Sequence, residues 1–221
     1  MITEITVDIT RKILGVVDVG LCSGLGQPRP GEMCVEAAVC YAMGLPHGDD
    51  PGCVNLSLRS FKISINDKKW SSNSARASGM RRLAIAQLGS TDMDSIAFCS
   101  RLSELVIRKI VPIALREIGT EEFNLLAVQC ENEGTKAASA YAASVASAYA
   151  ASVAAAASYA AAVASYAGDA AAYASAAVSA SVSAAAKKRD EILTIATELA
   201  VQVLRELNQP GIALMDHLCP L

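Results

Sequence analysis

The sequence predicts an all-α fold, and three observations carry that prediction. An alanine tract fills much of the C-terminal half, apolar residues recur at helical spacing in the segments before and after it, and glycines stand where those segments end. At 221 residues, 52% apolar and 19% charged with a formal net charge of −3, the chain is long enough for one large domain or two small ones. That balance excludes a disordered polyelectrolyte and a globally basic nucleic-acid binder.

The elements follow in order. Ile5, Ile9, Ile13, Val16 and Val17 share one helical face within residues 4–19, and Gly20 supplies a C-terminal stop. Residues 21–31, rich in Gly and Pro, form a loop before an apolar helix over 32–43, and LPHGDDPGC is a second, tight loop. Segment 55–67 fits both periods, alternating at Phe61, Ile63 and Ile65 yet striped at Leu58, Phe61 and Ile65; helix is the reading preferred. Helices over 74–88, with Ser74 as cap, and over 92–117 come next, the second kinked or broken by Pro112, then a helix over 121–131. The closing amphipathic helix spans 190–207, and the last ten residues read as docked coil.

From Ala137 to Ala186 there are 28 Ala, 10 Ser, 5 Val and 5 Tyr, interrupted only by Gly168 and Asp169. Tyr141, Val145, Tyr149 and Val153 recur every four positions, and Tyr159, Val163, Tyr166 and Tyr173 keep close to the same face. As one straight helix the tract would run about 75 Å at ~1.5 Å per residue, against a radius of gyration of roughly 17 Å for a compact chain of this size. It therefore either turns back at Gly168-Asp169 or projects and seeks a partner. The expected division is an N-terminal helical domain over 1–133 and an alanine-rich helical hairpin or bundle over 134–221.

Small side chains let helix backbones approach closely, so the tract reads as a packed hairpin or as an assembly surface. The functional expectation is a non-enzymatic interaction or structural module, self-associating or binding a protein partner, with Tyr141, Tyr149, Tyr159, Tyr166 and Tyr173 as seam residues. No cofactor is called for. The tract has too little Leu, Ile or Phe for a membrane span, and the acids in MITEITVDITRKILGVV make a secretory signal unexpected. Seven cysteines without regular spacing suit reduced thiols and a cytoplasmic protein.

Chemistry, if any, concentrates at Cys34, Glu36, Cys40, His47, Asp49, Asp50 and Cys53. One reading makes Cys34 a nucleophile at a helix start, His47 its base and Asp49 the group that orients the imidazole. Another makes Cys34, Cys40, His47 and Cys53 metal ligands, although their spacing is not that of paired C-x-x-C sites. The plainer alternative is buried small thiols beside turn residues. Between residues 59 and 82, Arg59, Lys62, Lys68, Lys69, Arg76, Arg81 and Arg82 oppose only Asp67, and with Trp70 they make the one basic patch. Such a patch grips nucleic acid or an acidic partner, or it is an ordinary solvated face; nucleic acid is the less favoured partner.

The runs GEMCVEAAVCYAMGLPHGDDPGCV, SLRSFKISINDKKWSSNSARASGMRRLAIAQLGS and IRKIVPIALR, followed by the Ala/Tyr-rich tract, resemble a family of uncharacterised bacterial and phage-associated proteins. The resemblance covers nearly the whole chain. It implies an alanine tract of varying length, as suits a spacer or assembly helix, and implies no activity. In composition alone the chain also resembles alanine-rich proteins labelled as immunity proteins.

Overall fold

The computed structural model describes residues 5–150 and 186–219, and in them the fold is all-α, with helices and no strand. The helices are α1 (Val7–Val17), α2 (Val35–Ala42), α3 (Leu56–Asn66), α4 (Asn73–Ala86), α5 (Ser95–Lys109), α6 (Val111–Arg116), α7 (Glu121–Glu133), α8 (Lys136–Ala150), α9 (Ala186–Glu206) and α10 (Gly211–Leu218). The chain divides into two compact units, Met1–Phe98 with Ala200–Leu221, and Cys99–Leu199. The sequence boundary at 133/134 falls inside the second.

In the first unit α2 is the innermost helix, packed by α1, α3 and α4. Its sequence has no polar face apart from Glu36, and Val35 through Cys40 are all buried, the acid included. Helices α1 and α3, which pack on it, are amphipathic and each buries one stripe, Ile13, Val16 and Val17 of α1 and Leu58, Phe61 and Ile65 of α3. Segment 55–67 is thus helical, and the stripe at Leu58, Phe61 and Ile65 outweighs the strand-like alternation. Side-chain oxygens close the open N–H groups at several starts: Thr6 on α1, Asn55 on α3 and Ser72 on α4. The cap of α4 therefore lies two residues before the expected Ser74.

The C-terminal coil expected from the sequence is instead helix α10. Pro210 precedes it, Ile212 and Met215 are buried, and it packs on α4 and α1. Gly211 makes this docking possible, because a Cβ there would lie 2.5 Å from the Ile85 carbonyl oxygen. Arg81 then ties the end of the chain to the start, donating to both Asp18 carboxylate oxygens and to the Cys219 sulfur.

The second unit holds α6, α7 and α8 with parts of α5 and α9. The break expected at Pro112 falls at Ile110, where α5 ends and α6 restarts with the proline in its first turn. Helices α6 and α7 pack together, as do α7 and α8. Gly134, left-handed at φ +60°, closes α7 and turns the chain into α8. Arg108 covers that turn: its guanidinium donates to the carbonyls of Glu131, Asn132 and Glu133 at 2.6, 2.6 and 3.0 Å, supplying charge as well as hydrogen bonds to the helix end. Lys188 pairs with Glu117 in the same unit. No described helix is long and apolar enough to cross a membrane.

Candidate functional site

The Gly/Pro loop after α1 is held by its own backbone. Cys22 N–H donates to the Met33 carbonyl, Gln27 to Glu32 and Cys34 to Leu25, an isolated antiparallel bridge pairs Gly26 with Met33, and Gly26 takes φ +72°. The approach there leaves no room for a side chain, since a Cβ on Gly26 would sit 1.9 Å from the Glu32 carbonyl oxygen. The end of α3 anchors this loop: Asn66 Nδ2 donates to the Cys22 carbonyl, and Asp67 Oδ1 accepts from Gly24 N–H at 2.7 Å. Buried Arg76 of α4 completes the anchor by donating to the carbonyls of Asn66 and Leu21.

Under the loop begins α2, with Cys34 as its N-cap. The Cys34 sulfur accepts from Ala37 N–H at 3.4 Å, and Asn66 Oδ1 accepts from Val35 N–H at 3.3 Å. Two residues on, Glu36 meets Lys62 of α3, Oε1 to Nζ 2.7 Å, with both side chains fully buried. The charges touch, and the Gln87 side chain lies within hydrogen-bond reach of the same carboxylate. Burial pushes the Glu36 carboxyl up and the Lys62 ammonium down, while each charge pulls the other back toward ionisation.

Beside this pair lies a cavity of about 70 Å³, lined by Gly24, Leu25, Cys34, Val35, Glu36, Asp49, Ile63, Asn66 and Asp67. A wider cleft of about 510 Å³ runs along the loop from Met43 to Cys53 and includes His47, Asp49 and Asp50.

Known protein families, curated proteins and solved structures were compared with the chain, and none matches.

The thiol constellation takes shape differently from a nucleophile with its base. Burial pushes the Cys34 thiol up, against the smaller opposing effect of the Ala37 and Glu36 N–H groups. The His47 ring is hydrogen-bonded to the Gly26 carbonyl, and Asp49 pairs with Arg59, as does Asp50. Cys40 is pushed up to about 12 by burial and by neighbouring Glu36. All seven cysteines are free thiols, and no group of three or more His, Cys, Asp or Glu among the described residues is placed to hold a metal ion. Cys34, Cys40, His47 and Cys53 therefore do not assemble as a ligand set in this structure.

The basic run does not form an open cationic face either. Lys62 and Arg76 are buried, Arg59 and Arg81 are held by Asp50 and Asp18, and Trp70 is buried with its indole N–H donating to the Ile65 carbonyl. Lys68, Lys69 and Arg82 also make interactions of their own. A Trp70 ring in the core is not available to stack on a base.

Of the expected seam, Tyr141 is 57% exposed on α8. Tyr149 lies near the end of the same helix; Tyr159, Tyr166, Tyr173 and the turn at Gly168-Asp169 lie outside the described residues. On α7, whose inner face is Phe123, Leu126, Ala127 and Cys130, the outer positions Leu125 and Val128 are 65% and 45% exposed.

Sequence reasoning missed Asn66 and Gln87, read Asp67 only as the acid opposing the basic run, and counted the buried Lys62 in a basic patch. The signal for Lys62 was present: it stands four residues after Leu58 and three before Ile65, on the apolar stripe.

Proposed function

We propose that this protein is a non-enzymatic helical module that associates with further copies of itself through the α7–α8 hairpin and the Ala/Ser/Tyr tract that continues from it. The observation that carries the reading is the exposure of Leu125 and Val128 on α7 and of Tyr141 on α8, helices that pack together with the Gly134 turn between them. Val128 and Tyr141 stand about equally far in sequence from that turn, so an antiparallel pair brings them to one level. Beneath them α8 buries Ala138, Ser139, Ala142 and Ala143, small residues that permit close helix approach.

A second copy is the occupant this surface fits. From Ala137 to Ala167 the chain carries no charge, and its bulky residues repeat largely every three or four positions, a pattern that a second copy of the same sequence matches. A charged or strongly basic partner would leave its ions unpaired against such a face.

Sedimentation equilibrium of the whole chain tests the reading. The wild type should sediment as an oligomer, and Leu125→Ser/Val128→Ser, which removes only exposed apolar surface, should shift it toward monomer while circular dichroism stays unchanged. Tyr149→Ser/Tyr159→Ser should act in the same direction. A monomeric wild type, or an oligomer untouched by both double changes, would sink the proposal.

A further inference from the structure

Helix α7 is apolar on two sides. Phe123, Leu126, Ala127 and Cys130 are buried and form its inner face. At about 3.6 residues per turn, Glu121, Leu125, Val128 and Asn132 fall together on the opposite side, within about 60° of the helix circumference. All four are exposed, Leu125 at 65% and Val128 at 45%. The two apolar side chains on this outer stripe are therefore left in water by the described residues, although their helix already has a complete inner face.

The order of the four residues gives the stripe a direction. Spaced by four, three and four positions, they run acid, apolar, apolar, amide, and the midpoint of the stripe lies between Leu125 and Val128. When two such stripes run antiparallel about that midpoint, Leu125 of each copy meets the partner's Val128. Glu121 of each meets the partner's Asn132, whose amide N–H groups donate to the carboxylate. Parallel stripes place every residue against itself instead, and Glu121, with exposed Glu122 beside it, then stands against its own kind. Lys136 adds to the same preference. It is exposed at the start of α8, just past the Gly134 turn and so at the Asn132 end of the stripe, and antiparallel copies bring it to the acidic end of the other while parallel copies do not.

We propose that two copies of this chain pair through α7 in an antiparallel, two-fold arrangement, Leu125 against the partner's Val128 and Glu121 against the partner's Asn132. This rests on the reading that the protein self-associates, and it adds the face, the direction and the register. A contact made by the same patch on both copies closes at two, so α7 supplies a dimer and any larger assembly needs a second surface.

The test is a charge series at position 132 in the whole chain, read as the dissociation constant from sedimentation equilibrium at low salt. In the antiparallel pair Asn132→Lys faces Glu121 at both ends and should tighten association about tenfold, roughly the sum of two exposed ion pairs. Asn132→Glu should weaken it by a similar factor. In a parallel pair position 132 faces itself, so both changes weaken association. Glu121→Lys should restore the Asn132→Glu chain and should not tighten the wild type, which separates pairing of the two positions from an effect of net charge. Circular dichroism should stay unchanged throughout, since both positions are exposed. An oligomer weakened by both changes at 132 would overturn the antiparallel register, and one indifferent to both would overturn the α7 contact; either result leaves self-association itself standing. A monomeric wild type would overturn self-association and this pairing with it.

Discussion

Two ion pairs of the same chemical kind stand in opposite surroundings. Lys62 and Glu36 meet at 2.7 Å with no exposure at all, whereas Arg116 and Glu131 meet at 2.6 Å with side chains 42% and 38% exposed. Distance therefore says little about what each contributes. The exposed pair forms both parallel N–H···O bonds, to Oε1 and Oε2, but competes with water and salt. The buried pair has lost its water, and each charge has the other, with the Gln87 side chain beside Glu36, in place of that hydration, so its stability depends on each partner neutralising the other.

Breaking the buried pair should have the largest effect. Lys62→Met leaves the Glu36 carboxylate uncompensated and should lower unfolding free energy by about 3–5 kcal/mol, read from urea denaturation. The double change Glu36→Gln/Lys62→Met should recover most of that loss. A single change no costlier than one at the surface would erase the contrast between the two pairs.

Arg108 sharpens the comparison because it is a partly exposed cation that donates to three helix-end carbonyls as well as to Glu104. Arg108→Ala should cost about 1.5–3 kcal/mol, in the range of hydrogen bonds to a charged group, and should fall between the buried and exposed pairs by the same denaturation measurement. Arg116→Ala should cost less than about 1 kcal/mol.

The smallest effect is on the acid side. Guanidinium hydrogen bonds hold Glu104, beside Arg101 and Arg108, and Glu131, beside Arg116, below the ordinary glutamate value of 4.5. A depressed folded value means that the contribution is complete above about 4.5 and fades as pH falls through the lower folded values. Thermal midpoints measured from neutral pH down to strong acid should show this decline, and Arg116→Ala should flatten it slightly. An unchanged slope would show that Glu131 is not linked to folding through Arg116.

Much of the helical fold was legible because periodicity and punctuation agree along the chain. Gly44, Gly89 and Gly134 take positive φ close after α2, α4 and α7, and Pro112 stands in the first turn of α6. The last helix was missed because α10 is short and its decisive residue, Gly211, is there for the close approach of α4 carbonyls, a contact with no local signature. The site was less legible for a related reason. A local charge sum treats Lys62 and Arg76 as surface cations, yet one faces Glu36 from another helix and the other caps loop carbonyls from a buried position. Only pairing across helices distinguishes a buried cation from an exposed one.

The contact between Arg81 and Cys219 joins residues 138 positions apart, and the unit it closes is made from both ends of the chain. Its formation must await residue 219. Loss of the residues after Asn208 would strip α10 from α4 and leave that unit without its closing piece.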